Sequence, residues 1–320
     1  MSARYDPPVF SVIICTRNRQ AALGACIRSV LAAARRVDPR SVELVVVDNG
    51  SVDETAAQVT ALARSSQIIV RFLAEPRPGL SYARNAGMAA ACGRYFVFTD
   101  DDCQMDPDYF LDLLRHYARG DQETIRGGRV ELGDPLDAPL TVRTGTESAL
   151  YHPKHPPGGF IQGCNMVVPR QTARRIGKFD VRLGAGSRLH AAEDADYIIR
   201  AHRLGITVAY VPDMQVRHFH GRRSDEDVRQ ISRNYHIGNG ALYAKHALSA
   251  PWVMIHFFWC LRGALRELAG GPRFDAAHGI SHWSVFSQNL RGMVGFLTGG
   301  LSAARSAATV TVLGILQLAE

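Results

Sequence analysis

Apolar runs alternate with amphipathic stretches along the first third of the chain. "VFSVIICT" (9–16) is apolar and β-branched between Pro8 and the polar "RNRQ", and reads as a buried strand. "AALGACIRSVLAAARR" follows with apolar residues at 23, 27, 30, 31 and 34, the spacing of a helix with one buried face. "VELVVVDNG" (42–50) repeats the strand signal and stops at the turn-forming Asn49-Gly50. "SVDETAAQVTALAR" predicts a helix opened by Ser51, with Glu54 at capping-box spacing. "QIIVRFL" (67–73), "SYARNAGMAAAC" (81–92) and "RYFVFTD" (94–100) continue as strand, helix and strand. Because the strand runs are continuously apolar, they predict an α/β fold with a mostly parallel central sheet flanked by helices on both faces.

Later the pattern loosens. Residues 131–160 carry Pro and Gly throughout and read as a surface excursion, and "FIQGCNMVVPR" (160–170) supplies a short strand pair or a strand and turn. "AAEDADYIIRAHRLG" (191–205) has helical spacing and ends at Gly205; "ITVAYVPDMQVRHFH" (206–220) returns to strand composition. Beyond about residue 235 lie "PWVMIHFFWCLRGALREL" (251–268) and an apolar stretch over 284–319, with Arg262, Arg266, Arg291 and Arg305 set among them. Each falls short of the roughly 20 apolar residues of a membrane span. They predict helices that pack on the rest of the chain or on a second subunit, or that lie in a headgroup layer. The expected organisation is a catalytic domain over 1–235 and an apolar helical extension over 236–320.

The formal charge of +7 comes without any sustained Lys/Arg block, so nucleic acid is not an expected partner. Six cysteines (15, 26, 92, 103, 164, 260) lack CxxC spacing and fit reduced thiols better than disulfides or a zinc site. The N-terminus has a Pro-Pro turn and only a short apolar run, unlike a signal peptide. The expected location is cytoplasmic, including the cytoplasmic face of the inner membrane.

Ligands of such sheets bind beyond the C-terminal strand ends, where Thr16, Asp48 and Asp100 all fall. No G-x-G-x-x-G or P-loop sequence accompanies them. Asp100, Asp101 and Asp102 are adjacent like charges, each making its neighbours harder to ionise. They could be a solvated strand end; a hard divalent cation, Mn²⁺ or Mg²⁺, would relieve the repulsion. Glu193 and Asp194 open a helix behind a Gly-rich loop. Acidic residues there stabilise the helix in any case, but Asp194 is also placed to act as a general base. His218 and His220 are at strand spacing, and either imidazole could complete a metal site. Metal carboxylates, a separate base and a nucleotide-sized crevice describe transfer at a diphosphate ester.

The whole pattern resembles an inverting family 2 glycosyltransferase of the GT-A fold. The matching pieces are "SVIICTRNR", "ELVVVDNGSVDET", "EPRPGLSYARNAG", "YFVFTDDDCQMDPDYF", "GCNMVVPR", "GKFDVRLGAG…EDADYIIRAHRLG" and "VPDMQVRHFH", covering about residues 9–220. The resemblance implies a nucleotide-sugar-binding half (about 9–105) and an acceptor-binding half (about 106–235). It implies that Thr16, Asp48 and Asn49 meet the base and ribose, and that Glu75, Arg84 and Asn85 line the donor pocket. Asp100 would hold the ribose side of the nucleotide, and Asp102 the metal bridging its diphosphate. Asp101 lies between them and is expected to point away. Asp194 would deprotonate the acceptor hydroxyl, with Glu193 orienting the loop or acceptor; His218 would be a further metal ligand and Asn165 would line the acceptor side. Arg17 and Asn49 depart from the family's usual residues and make the expected donor site less negative.

The implied partners are a nucleotide-diphospho-sugar donor and a glycan, lipid-linked sugar or polysaccharide precursor as acceptor. Two other readings are weighed against sugar transfer. A nucleotidyltransferase would share the metal carboxylates but release pyrophosphate. A non-catalytic sugar-binding protein would be expected to have lost Asp102 or Asp194, and both are present.

Overall fold

The computed structural model describes residues 8–118 and 122–316, with side chains placed as far as residue 299. Nine strands form one sheet: β1 (Phe10–Thr16), β2 (Val42–Asp48), β3 (Ile69–Ala74), β4 (Tyr95–Asp100), β5 (Cys103–Met105), β6 (Ile125–Leu132), β7 (Ala149–Leu150), β8 (Asn165–Pro169) and β9 (Val208–His218). The helices are α1 (Gln20–Ala34), α2 (Thr55–Arg64), α3 (Leu80–Ala90), α4 (Tyr109–Ala118), α5 (Arg170–Ile176), α6 (Glu193–Arg203), α7 (Asp225–His246), α8 (Met254–Leu268) and α9 (His282–Leu316).

The strand order is β3-β2-β1-β4-β8-β6-β9-β5, with β7 paired to β9. The four strands β3, β2, β1 and β4 are parallel, as their apolar runs predict. Beyond them the sheet is mixed: β8 runs antiparallel to β4 and β6, β6 runs parallel to β9, and β5 pairs antiparallel with β9. The parallel character therefore belongs to the first half of the sheet. Alternation along β1 explains its unbroken apolar run. Val12 and Ile14 pack on one face with Leu23, Ile27 and Val30 of α1, while Ile13 joins Val45, Phe98 and Tyr197 on the other. Each such buried side chain contributes about 1.5–3 kcal/mol relative to exposure.

One capping expectation is overturned. The helix α2 begins at Thr55, not beside Ser51. The Ser51 hydroxyl instead accepts from the Asn18 backbone N–H at 2.9 Å, and Asp53 takes the Thr55 N–H at 3.2 Å. A side chain spent on tying the β1 and β2 loops together cannot cap a helix.

The chain divides into two compact units. One runs to Ser187 and includes Glu193–Val228; the other holds Arg188–Ala192 and the chain from Arg229. Inside the second unit, α8 packs against α9, with Phe257 against Phe286 (5.4 Å between ring centres) and the Asn289 amide donating to Cys260 Sγ at 3.5 Å. Backbones of α7 and α9 touch at two glycines. A Cβ at Gly240 would lie 1.8 Å from the Asn289 carbonyl oxygen, and one at Gly292 would lie 1.9 Å from that of Ile237. Among the described residues no helix is long and apolar enough to cross a membrane.

Candidate functional site

Register aligns the functional strand ends. Thr16 of β1 lies opposite Asp48 of β2, and Cys15 opposite Asp100 of β4. Strand β9 brings His218 to the same edge, because β5 pairs with it directly after the aspartate triplet, Cys103 opposite His218. Donor atoms of Asp100, Asp102 and His218 consequently lie within 4.8 Å of one another. His218 Nε2 is 3.2 Å from Asp102 Oδ1, and its Nδ1 meets the Thr141 hydroxyl at 3.0 Å. Thr141 has φ +52°, an unusual conformation for a β-branched residue, held where its hydroxyl fixes the imidazole. His220 leaves this edge: its Nε2 faces the Ala138 carbonyl at 3.1 Å and its Nδ1 accepts from the Arg222 N–H.

The three aspartates separate by environment. Asp101 accepts from the Thr16 hydroxyl at 2.7 Å, with Arg19 Nε at 3.6 Å. Burial pushes its carboxyl up to about 6, against those two partners. Asp102 is also buried, but the hydrogen bond and charge of His218, aided by Arg19, hold its carboxyl below the usual range. His218 responds in kind: burial disfavours its cation, yet Asp102 raises it to about 9. Asp100 is pushed up by burial against the opposing charge of Arg84, and its side chain stays 35% exposed.

Two carboxylates and an imidazole form a donor set that suits Mn²⁺ or Mg²⁺. A second cluster, Cys103, Cys164 and His218, shares the histidine. Burial raises the Cys103 thiol well above its usual range, which keeps it protonated and a poor ligand. The fit to a hard cation therefore rests on the two aspartates, with the partly open Asp100 giving access.

A buried arginine joins this cluster to the helix α6. Arg84 of α3 is 3% exposed; its Nη1 donates to Glu193 Oε1 at 2.7 Å and its Nη2 to Asp100 Oδ1 at 3.4 Å. Burial and the neighbouring Asp194 push the Glu193 carboxyl up to about 7, with Arg84 opposing. Asp194 accepts from the Gly163 backbone N–H at 3.0 Å and from the Ala195 N–H at 2.7 Å, at the positive end of the helix dipole.

Several other sequence-predicted residues are hydrogen-bonded to neighbouring backbone and side chains. Asn49 donates to the carbonyls of Glu75 (2.8 Å) and Arg77 (2.7 Å) and accepts from the Gly79 N–H. Glu75 accepts two bonds from the Arg77 guanidinium, at 2.8 and 2.7 Å. Asn85 and the backbone of Phe179 exchange two bonds. Asn165 is fully buried, accepting from the Tyr109 hydroxyl and donating to the carbonyls of Arg129 and Met214. It therefore braces the sheet instead of lining an acceptor surface. Asp48 stays half-buried at its strand end, its Oδ1 taking the Ser51 N–H, and Arg17 is exposed. Two residues were missed from sequence, Arg19 and Thr141. Arg19 carried a signal, as a cation directly beyond the β1 strand end; Thr141 carried none, lying in a loop read as a surface excursion.

Residues 11–177, more than half of the chain, match the family described as Glycosyl transferase family 2. The succinoglycan biosynthesis protein ExoM of Rhizobium meliloti (strain 1021) is 28% identical over 207 residues, 63% of this chain and 64% of that protein. The GalNAc(5)-diNAcBac-PP-undecaprenol beta-1,3-glucosyltransferase of Campylobacter jejuni is 32% identical over 114 residues, covering 35% of this chain and 36% of that one. The chain thus spans less than two thirds of the length of either relative. Among solved structures, the mannosyltransferase PcManGT from Pyrobaculum calidifontis, in complex with GDP-Man and Mn²⁺, has a TM-score of 0.61 at 17% identity, covering 91% of this chain and 88% of that one. That likeness establishes the GT-A fold. The chain belongs to glycosyl transferase family 2.

Proposed function

We propose that this protein transfers a sugar from a nucleotide-diphospho-sugar to an acceptor hydroxyl by a single displacement with inversion. The observation that carries the reading is the meeting of Asp100, Asp102 and His218 at one sheet edge, joined through Arg84 to Glu193 beside Asp194. The acceptor oxygen forms a bond to the anomeric carbon as the bond from that carbon to the diphosphate oxygen breaks. Asp194 accepts the hydroxyl proton; two backbone N–H groups, of Gly163 and Ala195, hold its carboxylate in place. Arg84 keeps α6 and β4 in fixed relation, so the base and the donor-side carboxylates are positioned together. We assign Asp48 and Thr16, at neighbouring strand ends, to the nucleoside side of the donor site.

Asp100, Asp102 and His218 would hold a divalent cation, Mn²⁺ or Mg²⁺, which when bound supplies positive charge to the departing nucleoside diphosphate. Support for this pairing comes from the solved mannosyltransferase of the same fold, which holds GDP-Man and Mn²⁺. The name of the Campylobacter relative specifies a substrate linked to undecaprenol through PP, and that of the Rhizobium relative specifies succinoglycan biosynthesis. These support a lipid-linked sugar or polysaccharide precursor as acceptor. We assign catalysis to residues 1–235, with the acceptor half over 106–235, and place the enzyme at the cytoplasmic face of a membrane, with the chain from 236 as its contact surface.

A panel of nucleotide-sugars incubated with the full chain and Mn²⁺ tests the reading through slow transfer to water. One donor should release nucleoside diphosphate, and chelator should stop the release. Release of pyrophosphate, or turnover undiminished by chelator, would overturn it.

A further inference from the structure

Helices α8 and α9 leave apolar side chains in solvent along one stripe each. On α8, Ile255, Phe258, Trp259 and Leu265 are between 45% and 58% exposed. On α9, Trp283, Leu290, Val294 and Leu297 are between 46% and 57% exposed. Spacings of three, four and seven residues are those of a face that a helix ordinarily buries. Beside these stripes opens a cleft of about 390 Å³, lined by Trp259, Arg262, Gly263, Arg266, Pro272 and His282. Glu267 is the one acid in α8, and it accepts from the His282 backbone N–H. The next acid along the chain, Asp275, is paired with His278 at 2.7 Å. Neither Arg262 nor Arg266 has a carboxylate partner among the described residues.

We propose that this face docks on an anionic lipid surface, with Arg262 and Arg266 holding a headgroup phosphate in the cleft. A guanidinium matches phosphate oxygens with parallel N–H donors, and two guanidinia one helical turn apart supply the charge. Trp259 and Trp283 are suited to the boundary between headgroups and acyl chains, which meets both the ring and the indole N–H. The aliphatic stripes enter the acyl boundary beneath them. A second copy of this chain fits the face less well, because among the described residues the acids nearest the arginines, Glu267 and Asp275, already accept from the His282 N–H and pair with His278. The inference rests on the membrane placement proposed above and deepens it by naming the face and the headgroup chemistry, while standing apart from sugar transfer itself.

Co-sedimentation of the full chain with vesicles tests it. Phosphatidylcholine vesicles should retain the protein weakly, and vesicles that also contain phosphatidylglycerol should retain it strongly. Arg262→Gln with Arg266→Gln should lower the partition coefficient on anionic vesicles about thirtyfold, roughly fivefold per arginine. Arg262→Lys with Arg266→Lys should restore most of the attraction, and Phe258→Ser should weaken retention on both vesicle types. Circular dichroism and nucleoside diphosphate release in solution should be unchanged in all of these variants. Equal retention on the two vesicle types, or undiminished retention of the Gln variant, overturns the proposal. So does displacement by inorganic phosphate at constant ionic strength, which would mark a site for free phosphate. A wild-type dimer in solution that Phe258→Ser splits, without vesicle binding by either form, would assign the face to a second copy.

Discussion

Arg84 Nη1 donates to Glu193 Oε1 at 2.7 Å across 109 positions of sequence, with both side chains buried. The pair ties α3 to the first turn of α6, and the second arm of the guanidinium reaches Asp100. Removing the cation leaves the buried Glu193 carboxyl without its charged partner. Arg84→Ala should destabilise the protein by about 3–5 kcal/mol in urea unfolding, the cost of breaking a buried pair from one side. A loss no larger than that of a surface substitution would remove Arg84 as a structural strut.

Metal binding should depend on what orients His218 as well as on the ligands. Asp102→Asn should abolish Mn²⁺ binding in calorimetry while leaving the fold intact. Thr141→Val removes the hydroxyl that meets His218 Nδ1 and should lower Mn²⁺ affinity about 10–100-fold, the usual effect of losing an outer partner of a metal-binding histidine. Unchanged affinity in the Thr141 variant would show that His218 is no ligand or is oriented by something else.

The assignment of Asp194 separates chemistry from donor binding. Asp194→Asn retains the shape and can still accept from Gly163 N–H through its amide oxygen, but it cannot take a proton. Loss of a general base typically costs on the order of 10²–10⁴-fold, so kcat should fall by that much. Affinity for the nucleoside diphosphate should hardly change, since the donor side is untouched. Lost nucleotide affinity with near-normal turnover at saturation would reverse the roles given to Asp194 and Asp102.

Glu43, fully buried on β2, accepts from the Ser11 hydroxyl at 2.6 Å and from Arg71 Nε at 3.0 Å. Burial opposes its ionisation, but these donors and the Cys92 N–H outweigh it and hold the carboxyl below its ordinary 4.5. The unfolded chain therefore binds a proton more readily than the folded one in that range. Stability from this group is complete above the unfolded value and drains away as pH falls through the lower, folded one. Urea unfolding of Glu43→Gln should show a deficit at neutral pH that narrows towards wild type in acid. Parallel stability curves would contradict the shift.

By itself the sequence determined the parallel half of the sheet and the edge where the chemistry lies. Apolar runs such as Leu44–Val47 are satisfied when both faces of the sheet are covered, and strand ends such as Thr16, Asp48 and Asp100 then meet because parallel strands finish together. It also marked the aspartate triplet and the Glu193-Asp194 helix start, since clustered like charges demand a physical reason. Only the tertiary structure decided which polar groups face the site and which brace it. Asn49, Asn85 and Asn165 look like ligand-binding residues in sequence, yet their amides are spent on backbone groups that folding would otherwise leave unsatisfied. His218 and His220 are equivalent in the sequence, and they part because β9 ends at the first of them. Arg19, Arg84 and Thr141 acquire their roles from partners 77 or more positions away, or 16 in the case of Arg84 and Asp100. No local pattern encodes such meetings; they follow from the packing of helices and loops on the sheet.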